Sequence, residues 1–305
     1  MVDKKPLVTI ILPVYNGEST LKTTLESLLN QTYTNFELLI GIDGSKDRSK
    51  AIAESFKDPR ITVTENPVNL GLGPNTNKLI ASASPESAFI AMAEQDDVYV
   101  SERIEWQVAV MQQYPKVGLV SGIAEFVSDH RRVLFPGLLV NGKQFPQGEA
   151  LFKFLYINQL KVVNTCMMLR KSVHTGNHLT FTNRYPNMNV DWDYVLRFAL
   201  VSQVYGIPRK LVAINRKVAN QSVTTNKALQ HKTTRKLLKD FRDEFPNIVT
   251  RQDYKKALKM HRKIELGHHS KFGIIAYSIY YYLLYFDGYF LNYIQLKIKN
   301  WIKTL

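Results

Sequence analysis

A mostly parallel sheet with helices on both faces is the fold class that this chain predicts. Three observations predict it. Short apolar, strand-like runs recur in the first hundred residues, at Leu7–Val14, Phe36–Ile42, Arg60–Thr64 and Ala88–Ala93. Helical segments lie between them. The first run is apolar throughout and rich in β-branched residues, as in a strand covered on both faces. Strands and helices that alternate in this way build βαβ units.

Leu21, Leu25, Leu28 and Leu29 recur at helical spacing, with Asn16 or Ser19 as the cap. Phe36–Ile42 ends at Asp43-Gly44-Ser45, and Asp47–Lys57 reads as the next helix. Pro74–Ser82 is a helix with Pro74 at its first position. Ser101–Tyr114 is another, capped by Ser101, with Ile104, Val108 and Met111 on one face. Val117–Ser121 and Ala124–Val127 read as two strands, and 128–148 as an irregular insertion. Gly148–Asn158 reads as a helix, Thr165–Leu169 as a strand, and Val190–Leu200 as a helix with Val195, Phe198 and Ala199 inward. Leu211–Asn215 is the final strand.

The length of 305 residues suits one large domain with an appendage, or two domains. Composition changes near residue 225. From 226 to 305 there are 16 Lys and Arg against 6 Asp and Glu, a net of +10 out of the whole chain's +14. Residues 1–225 are therefore expected to form the α/β domain, and 226–305 a basic, aromatic-rich helical region. Lys227–Phe245 and Arg251–Glu265 read as basic amphipathic helices. Phe272–Ile294 is crowded with tyrosines, interrupted by Asp287, Gly288 and Asn292, and flanked by Lys271, Lys297, Lys299 and Lys303. Tyrosine is an interface residue and lysines suit acidic headgroups, so this tail is expected to lie on a membrane surface, with helices that pack back on the domain as the alternative. Its aromatics are not interleaved with Lys and Arg, and no zinc-finger spacing accompanies them, so no nucleic-acid partner is expected. The single Cys166 excludes an internal disulfide framework and an all-cysteine metal site. With no secretory pattern over Met1–Pro13, a cytoplasmic protein at the inner face of the membrane is expected.

Glu94-Gln95-Asp96-Asp97 ends the run Ala88–Ala93, where a buried strand should finish in turn residues. Carboxylates packed this closely repel one another unless something positive sits among them. Glu94 and Asp96 point the same way from an extended chain, and paired oxygen ligands suit Mg²⁺ or Mn²⁺. The alternative is a solvated acidic turn before a helix. Asp43 either closes a tight turn with Gly44 or accepts hydrogen bonds from a nucleobase or ribose. Tyr15, after Pro13-Val14, is either a surface turn residue or a ring for a base to stack on. Asn69–Asn75 lacks the third glycine of a dinucleotide fingerprint and reads as a loop-to-helix turn. Asp191 and Asp193 open a helix, where carboxylates favour the dipole; the functional alternative is a general base, with Trp192 as a flat wall for a sugar ring.

In this order, the pieces TIILPVYN (9–16), LLNQTY (28–33), FELLIGIDGSKDRS (36–49), Asn69–Asn77, EQDD (94–97) and VDWDYVLRFA (190–199) resemble the inverting family 2 glycosyltransferases. The resemblance spans roughly residues 6–222 and implies the GT-A fold, a Rossmann-like, mostly parallel sheet. It implies a nucleotide-sugar donor, UDP-linked, and a saccharide or lipid-linked saccharide acceptor. Pro13, Val14, Tyr15 and Asp43 would form the nucleotide pocket, with Asn75 and Lys78 near the donor. Glu94, Gln95 and Asp96 fall on the family's Asp-X-Asp motif, with Asp96 on the metal, Mg²⁺ or Mn²⁺. Asp191 falls on the catalytic base. Asn164–Arg170, including Thr165 and Cys166, would border the acceptor, with Trp192 and Asp193. Three departures stand out: Glu94 replaces the first Asp, Val190 replaces the acid before the base, and the stretch Asn215–Ser222 has no late histidine. Arg216 or Lys217 would take over the diphosphate charge. The competing readings are a catalytically impaired nucleotide-sugar-binding protein and a nucleotidyltransferase. The latter lacks its glycine-rich, arginine-bearing loop after strand one.

Overall fold

The computed structural model describes residues 5–129, 131–135, 139–140, 143–144, 146–185, 187–215 and 226–302. The chain divides into two compact units: Met1–Phe152 with Lys161–Val223, and Lys153–Leu160 with Thr224–Leu305.

The first unit is a sheet flanked by helices. Its strands are β1 (Leu7–Val14), β2 (Phe36–Asp43), β3 (Ile61–Asn66), β4 (Ser87–Met92), β5 (Asp97–Tyr99), β6 (Val117–Val127), β7 (Arg132–Phe135), the ribbon β8 (Leu139–Val140) and β9 (Lys143–Gln144), β10 (Met168–Arg170) and β11 (Gln203–Asn215). Its helices are α1 (Leu21–Leu29), α2 (Ser49–Ser55), α3 (Leu72–Ala81), α4 (Arg103–Gln113), α5 (Gly148–Asn158, shared with the second unit), α6 (Lys171–Gly176) and α7 (Val190–Val201). The main sheet runs β3-β2-β1-β4-β10-β6-β11-β5, with β7 beside β6. The four strands β3, β2, β1 and β4 are parallel, and β6 is parallel to β11. β10 is antiparallel to both of its neighbours, and β5 is antiparallel to β11. The fold is therefore mostly parallel α/β.

Burial on both faces explains the unbroken apolar strands: Val8, Ile10, Ile11 and Leu12 of β1 are fully buried, as are Leu38, Ile40 and Ile42 of β2. Parallel pairing of Val14 with Ile42, and of Ile11 with Met92, brings the carboxyl ends of β1, β2 and β4 to one edge. Ligands bind such sheets beyond that edge.

Several boundaries differ from the expectation. Thr20, not Asn16 or Ser19, precedes α1, because Asn16 is left-handed (φ 49°) and turned towards the next loop. α3 begins at Leu72, so Pro74 stands third, after a left-handed Gly71 (φ 90°). Glu102, not Ser101, precedes α4. The two short strands expected over 117–127 are one, because β11 pairs along their whole length. The strand expected over Thr165–Leu169 is a 3-10 turn, Asn164–Cys166, followed by β10.

The second unit holds α8 (Lys227–Glu244), α9 (Arg251–Leu266), α10 (Lys271–Tyr285) and α11 (Tyr289–Ile302). Caps define the starts. Asn226 accepts from Leu229 N, Thr250 and Asp253 form a reciprocal capping box, and Ser270 accepts from Gly273 N. The tyrosine-rich segment is two helices, broken where Phe286 turns left-handed (φ 49°). α11 folds back on α10, with Tyr281 and Tyr285 against Phe290 at 5.5 and 6.1 Å between ring centroids.

Candidate functional site

The acidic block is the link from β4 to β5, at the carboxyl edge. Two contacts hold it. Thr24 Oγ1 of α1 lies 2.8 and 2.9 Å from the carbonyl oxygens of Gln95 and Asp97, and Glu94 N donates to Tyr99 Oη at 2.8 Å. Carboxylate oxygens of Glu94, Asp96 and Asp97 lie within 4.8 Å of one another, the one such cluster of potential metal ligands among the described residues. The sequence pairs Glu94 with Asp96, and the resemblance puts the metal on Asp96; here Asp97 joins them. An all-oxygen donor set fits a hard divalent cation such as Mg²⁺ or Mn²⁺.

Behind the cluster lies Arg103, fully buried on α4. Its Nη2 donates to Met92 O at 2.6 Å and Met167 O at 3.3 Å, and its Nε to Gln107 Oε1 at 3.1 Å. Burial pulls its pKa down, while Tyr99, Cys166 and Asp97 oppose that pull. A buried cation thus faces the fully buried Asp97.

The first loop is tied to the acids by Gln95. Its amide takes Tyr15 N–H at 2.8 Å and donates to Tyr15 O at 3.0 Å, which leaves the Tyr15 ring half-exposed. Gln95, expected on the donor, is therefore committed to the backbone. The same loop is laced to the one after β2. Asn16 N donates to Ser45 Oγ, Gly17 N to Ser49 Oγ, and Lys46 N to Asn16 Oδ1. Pro13 and Val14 end β1 beside Gly41 and Ile42.

Asp43 is 3% exposed. Oδ1 accepts from Asn66 Nδ2 at 2.8 Å and Leu70 N at 2.9 Å, and Oδ2 accepts from Gly71 N at 2.9 Å. It holds the loop 69–71 over the end of β2, and little of it faces a ligand. Gly44 beside it is left-handed (φ 64°), and a Cβ there would meet Asn69 N at 2.5 Å. Asn75 is buried and bonds Gly41 O at 2.9 Å, so its amide supports the sheet end. Lys78 reaches Asn66 Oδ1 at 2.5 Å. Asn66 therefore joins Asp43, Asn75 and Lys78 through one amide.

Asp191 stands half-buried in the first turn of α7, where the helix dipole favours a carboxylate. Among the described residues its side chain takes no hydrogen bond, so its oxygens are uncommitted. Two contacts connect this helix end to the acids through residues 161–164. Lys161 Nζ donates to Asn189 Oδ1 at 2.8 Å, and Asn164 Nδ2 donates to Glu94 Oε1 at 3.1 Å. Three residues of chain span roughly 10 Å at most. A third contact ties it to the Asp43 loop: Leu72 N donates to Asn187 Oδ1 at 3.1 Å.

The acceptor-side residues fare differently. Asp193 is fully buried and bound within its helix to Arg197, at 3.2 Å. Trp192 is 1% exposed, so it offers no wall to a sugar. Thr165 is buried against the Tyr99 hydroxyl. Cys166 lies in the core, where burial pushes its thiol up to about 12. Helix and turn geometry turns all four inward. Arg216 and Lys217, expected on the diphosphate, lie outside the described residues. Asn66, Arg103 and Lys161 were not anticipated, and Asn164, expected at the acceptor border, donates to Glu94. The available clue for Asn66 was a polar side chain at a strand end.

The chain matches the model of glycosyl transferase family 2 over residues 9–175. It is 36% identical over 215 residues to the Escherichia coli UDP-Glc:alpha-D-GlcNAc-diphosphoundecaprenol beta-1,3-glucosyltransferase WfgD, covering 61% of this chain and 84% of that one. S. aureus TarS 1-349 in complex with UDP-GlcNAc superposes with a TM-score of 0.53 at 15% identity, over 88% of this chain and 82% of that one. The Pyrobaculum calidifontis mannosyltransferase PcManGT, in complex with GDP-Man and Mn²⁺, superposes with a TM-score of 0.57 at 12% identity, over 97% and 85%. With its curled, mostly parallel sheet and the family match over more than half of its length, this chain belongs to glycosyl transferase family 2 and has the GT-A fold.

Proposed function

We propose that the chain transfers a sugar, with inversion, from a nucleoside-diphosphate donor to a hydroxyl of a saccharide or lipid-linked saccharide. The observation that carries this is the uncommitted Asp191 carboxylate, two residues after Asn189, which accepts from Lys161, while Asn164 donates to Glu94 of the triad Glu94, Asp96 and Asp97. Asp191 removes the proton from the acceptor hydroxyl. The freed oxygen forms a bond to the anomeric carbon as the bond to the diphosphate breaks from the opposite face. The diphosphate leaves with the electron pair, and an α-linked donor gives a β-linkage. Glu94, Asp96 and Asp97 would hold Mg²⁺ or Mn²⁺, which supplies charge to offset that of the departing diphosphate. Tyr15, half-exposed at the end of β1, stacks on the base.

The likeness to the undecaprenol-linked glucosyltransferase and to the UDP-GlcNAc complex supports a UDP-sugar and a lipid-linked acceptor. Such an acceptor places the chain peripherally at the inner face of a membrane. No described helix is long and apolar enough to cross one. Incubation with a panel of nucleotide-sugars and Mn²⁺ tests the proposal. Release of nucleoside diphosphate with a new β-linkage in the product supports it. Release of pyrophosphate, or retained anomeric configuration, overturns it.

A further inference from the structure

In the second unit, α10 buries Ile274, Ser278 and Tyr281 at helical spacing, packed through Tyr281 against Leu266 and Phe290. Its opposite side should therefore be polar. It is not. Phe272 is 82% exposed, Leu283 61% and Phe286 84%, and Ile279, Tyr280 and Leu284 are exposed with them. From Phe272 to Phe286 the helix carries no ionisable group except tyrosine. The outward face is thus more hydrocarbon-like than the inward one, which includes a serine. Surfaces like this mark a partner or a membrane.

Charge decides which. Asp287 is the one carboxylate in residues 271–302, and Lys259 and Lys263 of α9 neutralise it at 3.2 and 2.8 Å. At the other end of the hairpin, Lys271 Nζ lies 5.7 Å from the Trp301 ring centroid, and Lys297 and Lys299 share the last turns of α11. The turn end of the apolar face therefore carries no uncompensated acid, and lysines gather at its open end beside a tryptophan. That pattern matches an anionic lipid surface: hydrocarbon below the face, headgroups at the lysines. The 15 residues of α10 reach about 22 Å, short of the ~30 Å hydrocarbon core, so the helix suits the interface and not a span.

We propose that the α10–α11 hairpin docks on an anionic bilayer, with the outward face of α10 sunk into the headgroup boundary and Lys271, Lys297 and Lys299 on the phosphates. This rests on the reading of a lipid-linked acceptor given above, and it names the surface that carries the chain to that acceptor.

Flotation of the full chain on vesicles of phosphatidylcholine with and without phosphatidylglycerol, free of any acceptor, tests it. The wild-type chain is expected to float with the anionic vesicles and to detach progressively in high salt. Ile279→Asp with Leu283→Asp is expected to lose at least tenfold in vesicle affinity. Lys297→Gln with Lys299→Gln is expected to weaken binding and flatten its salt dependence. Both double variants should keep the wild-type rate of transfer to a detergent-dispersed acceptor, which shows that they fold. Equal flotation by all three proteins overturns the docking and leaves the transfer chemistry untouched. So does a wild-type dimer in sedimentation that becomes a monomer in the Asp variant without any vesicle binding, because the face would then belong to a second copy. Flotation as expected with no transfer to any acceptor overturns the catalytic reading instead.

Discussion

The side-chain amide of Gln95 brackets the backbone of Tyr15, accepting from its N–H at 2.8 Å and donating to its carbonyl at 3.0 Å. Gly17 lies against the same amide, where a Cβ would come within 2.7 Å of Oε1. The residue between Glu94 and Asp96 thus sets the loop that presents Tyr15. Gln95→Ala removes both hydrogen bonds, worth about 1–2 kcal/mol together, or about 5- to 30-fold in affinity. Titration calorimetry of UDP with Mn²⁺ should show that loss. Gln95→Glu should not restore it, because a carboxylate opposite the Tyr15 carbonyl has no proton to give. Unchanged affinity in Gln95→Ala would mean that the loop holds itself.

Asp191→Asn keeps the shape of the first turn of α7 and removes the proposed base. Turnover is expected to fall by roughly 10²–10⁴-fold while the donor dissociation constant stays within about twofold. Steady-state kinetics beside donor titration separates the two. Normal turnover would take the proton abstraction away from Asp191.

Asp96→Ala leaves Glu94 and Asp97 as a weaker pair of oxygen ligands. Donor binding in Mn²⁺ is expected to weaken at least tenfold and to become insensitive to chelator, whereas the wild type should lose affinity when metal is removed. A variant that still responds to chelator like the wild type would place the cation elsewhere.

Asp43→Ala strips the acceptors from Leu70 N, Gly71 N and the Asn66 amide. Leaving such buried donors unsatisfied costs on the order of 2–4 kcal/mol, a fall of roughly 5–15 °C in unfolding midpoint for a domain of this size. Asp43→Asn retains one acceptor oxygen and should lie between. Calorimetric scans without ligand give the comparison. A full-stability Asp43→Ala variant that no longer binds UDP would make the carboxylate a ligand group and not a latch.

His174 sits buried on α6, with Nδ1 2.8 Å from the Tyr194 hydroxyl, and burial pulls its pKa from 6.5 to about 4. Between those two values the unfolded chain holds a proton that the folded chain does not. Its contribution is fully present above about pH 6.5 and declines as pH falls towards about 4, by up to roughly 3 kcal/mol. Urea midpoints taken from pH 7 to 4.5 should drop more steeply in the wild type than in His174→Gln. Parallel curves would show that His174 protonates without cost to the fold.

Much of the sheet was legible because its evidence is local. Leu7–Val14 reads as a buried strand from eight consecutive residues, and it is β1 to the residue. The acidic block was legible because carboxylates ending a strand stand out against their neighbours, whereas Asp191 was told from Asp193 only by the family resemblance. The inward turn of Trp192, Asp193, Thr165 and Cys166 was not. A helix offers every residue a different azimuth, and only the packing of α7 and of the 164–166 turn decides which azimuth faces the core. The continuous β6 was hidden for a related reason: its partner β11 lies nearly ninety residues further along the chain.

What the sequence by itself determined is the alternation of strand and helix, the two compositions on either side of residue 225, and the edge at which the acids collect. Each of these follows from periodicity and from neighbours within a few positions. Tertiary structure alone decided how the polar groups are shared out. Gln95 goes to Tyr15 across 80 residues, Asn164 to Glu94 across 70, and Asn66 to Asp43 across 23. The strand order β3-β2-β1-β4-β10 sets those partnerships, because hydrogen bonds form between groups that packing brings to about 3 Å, whatever their separation along the chain.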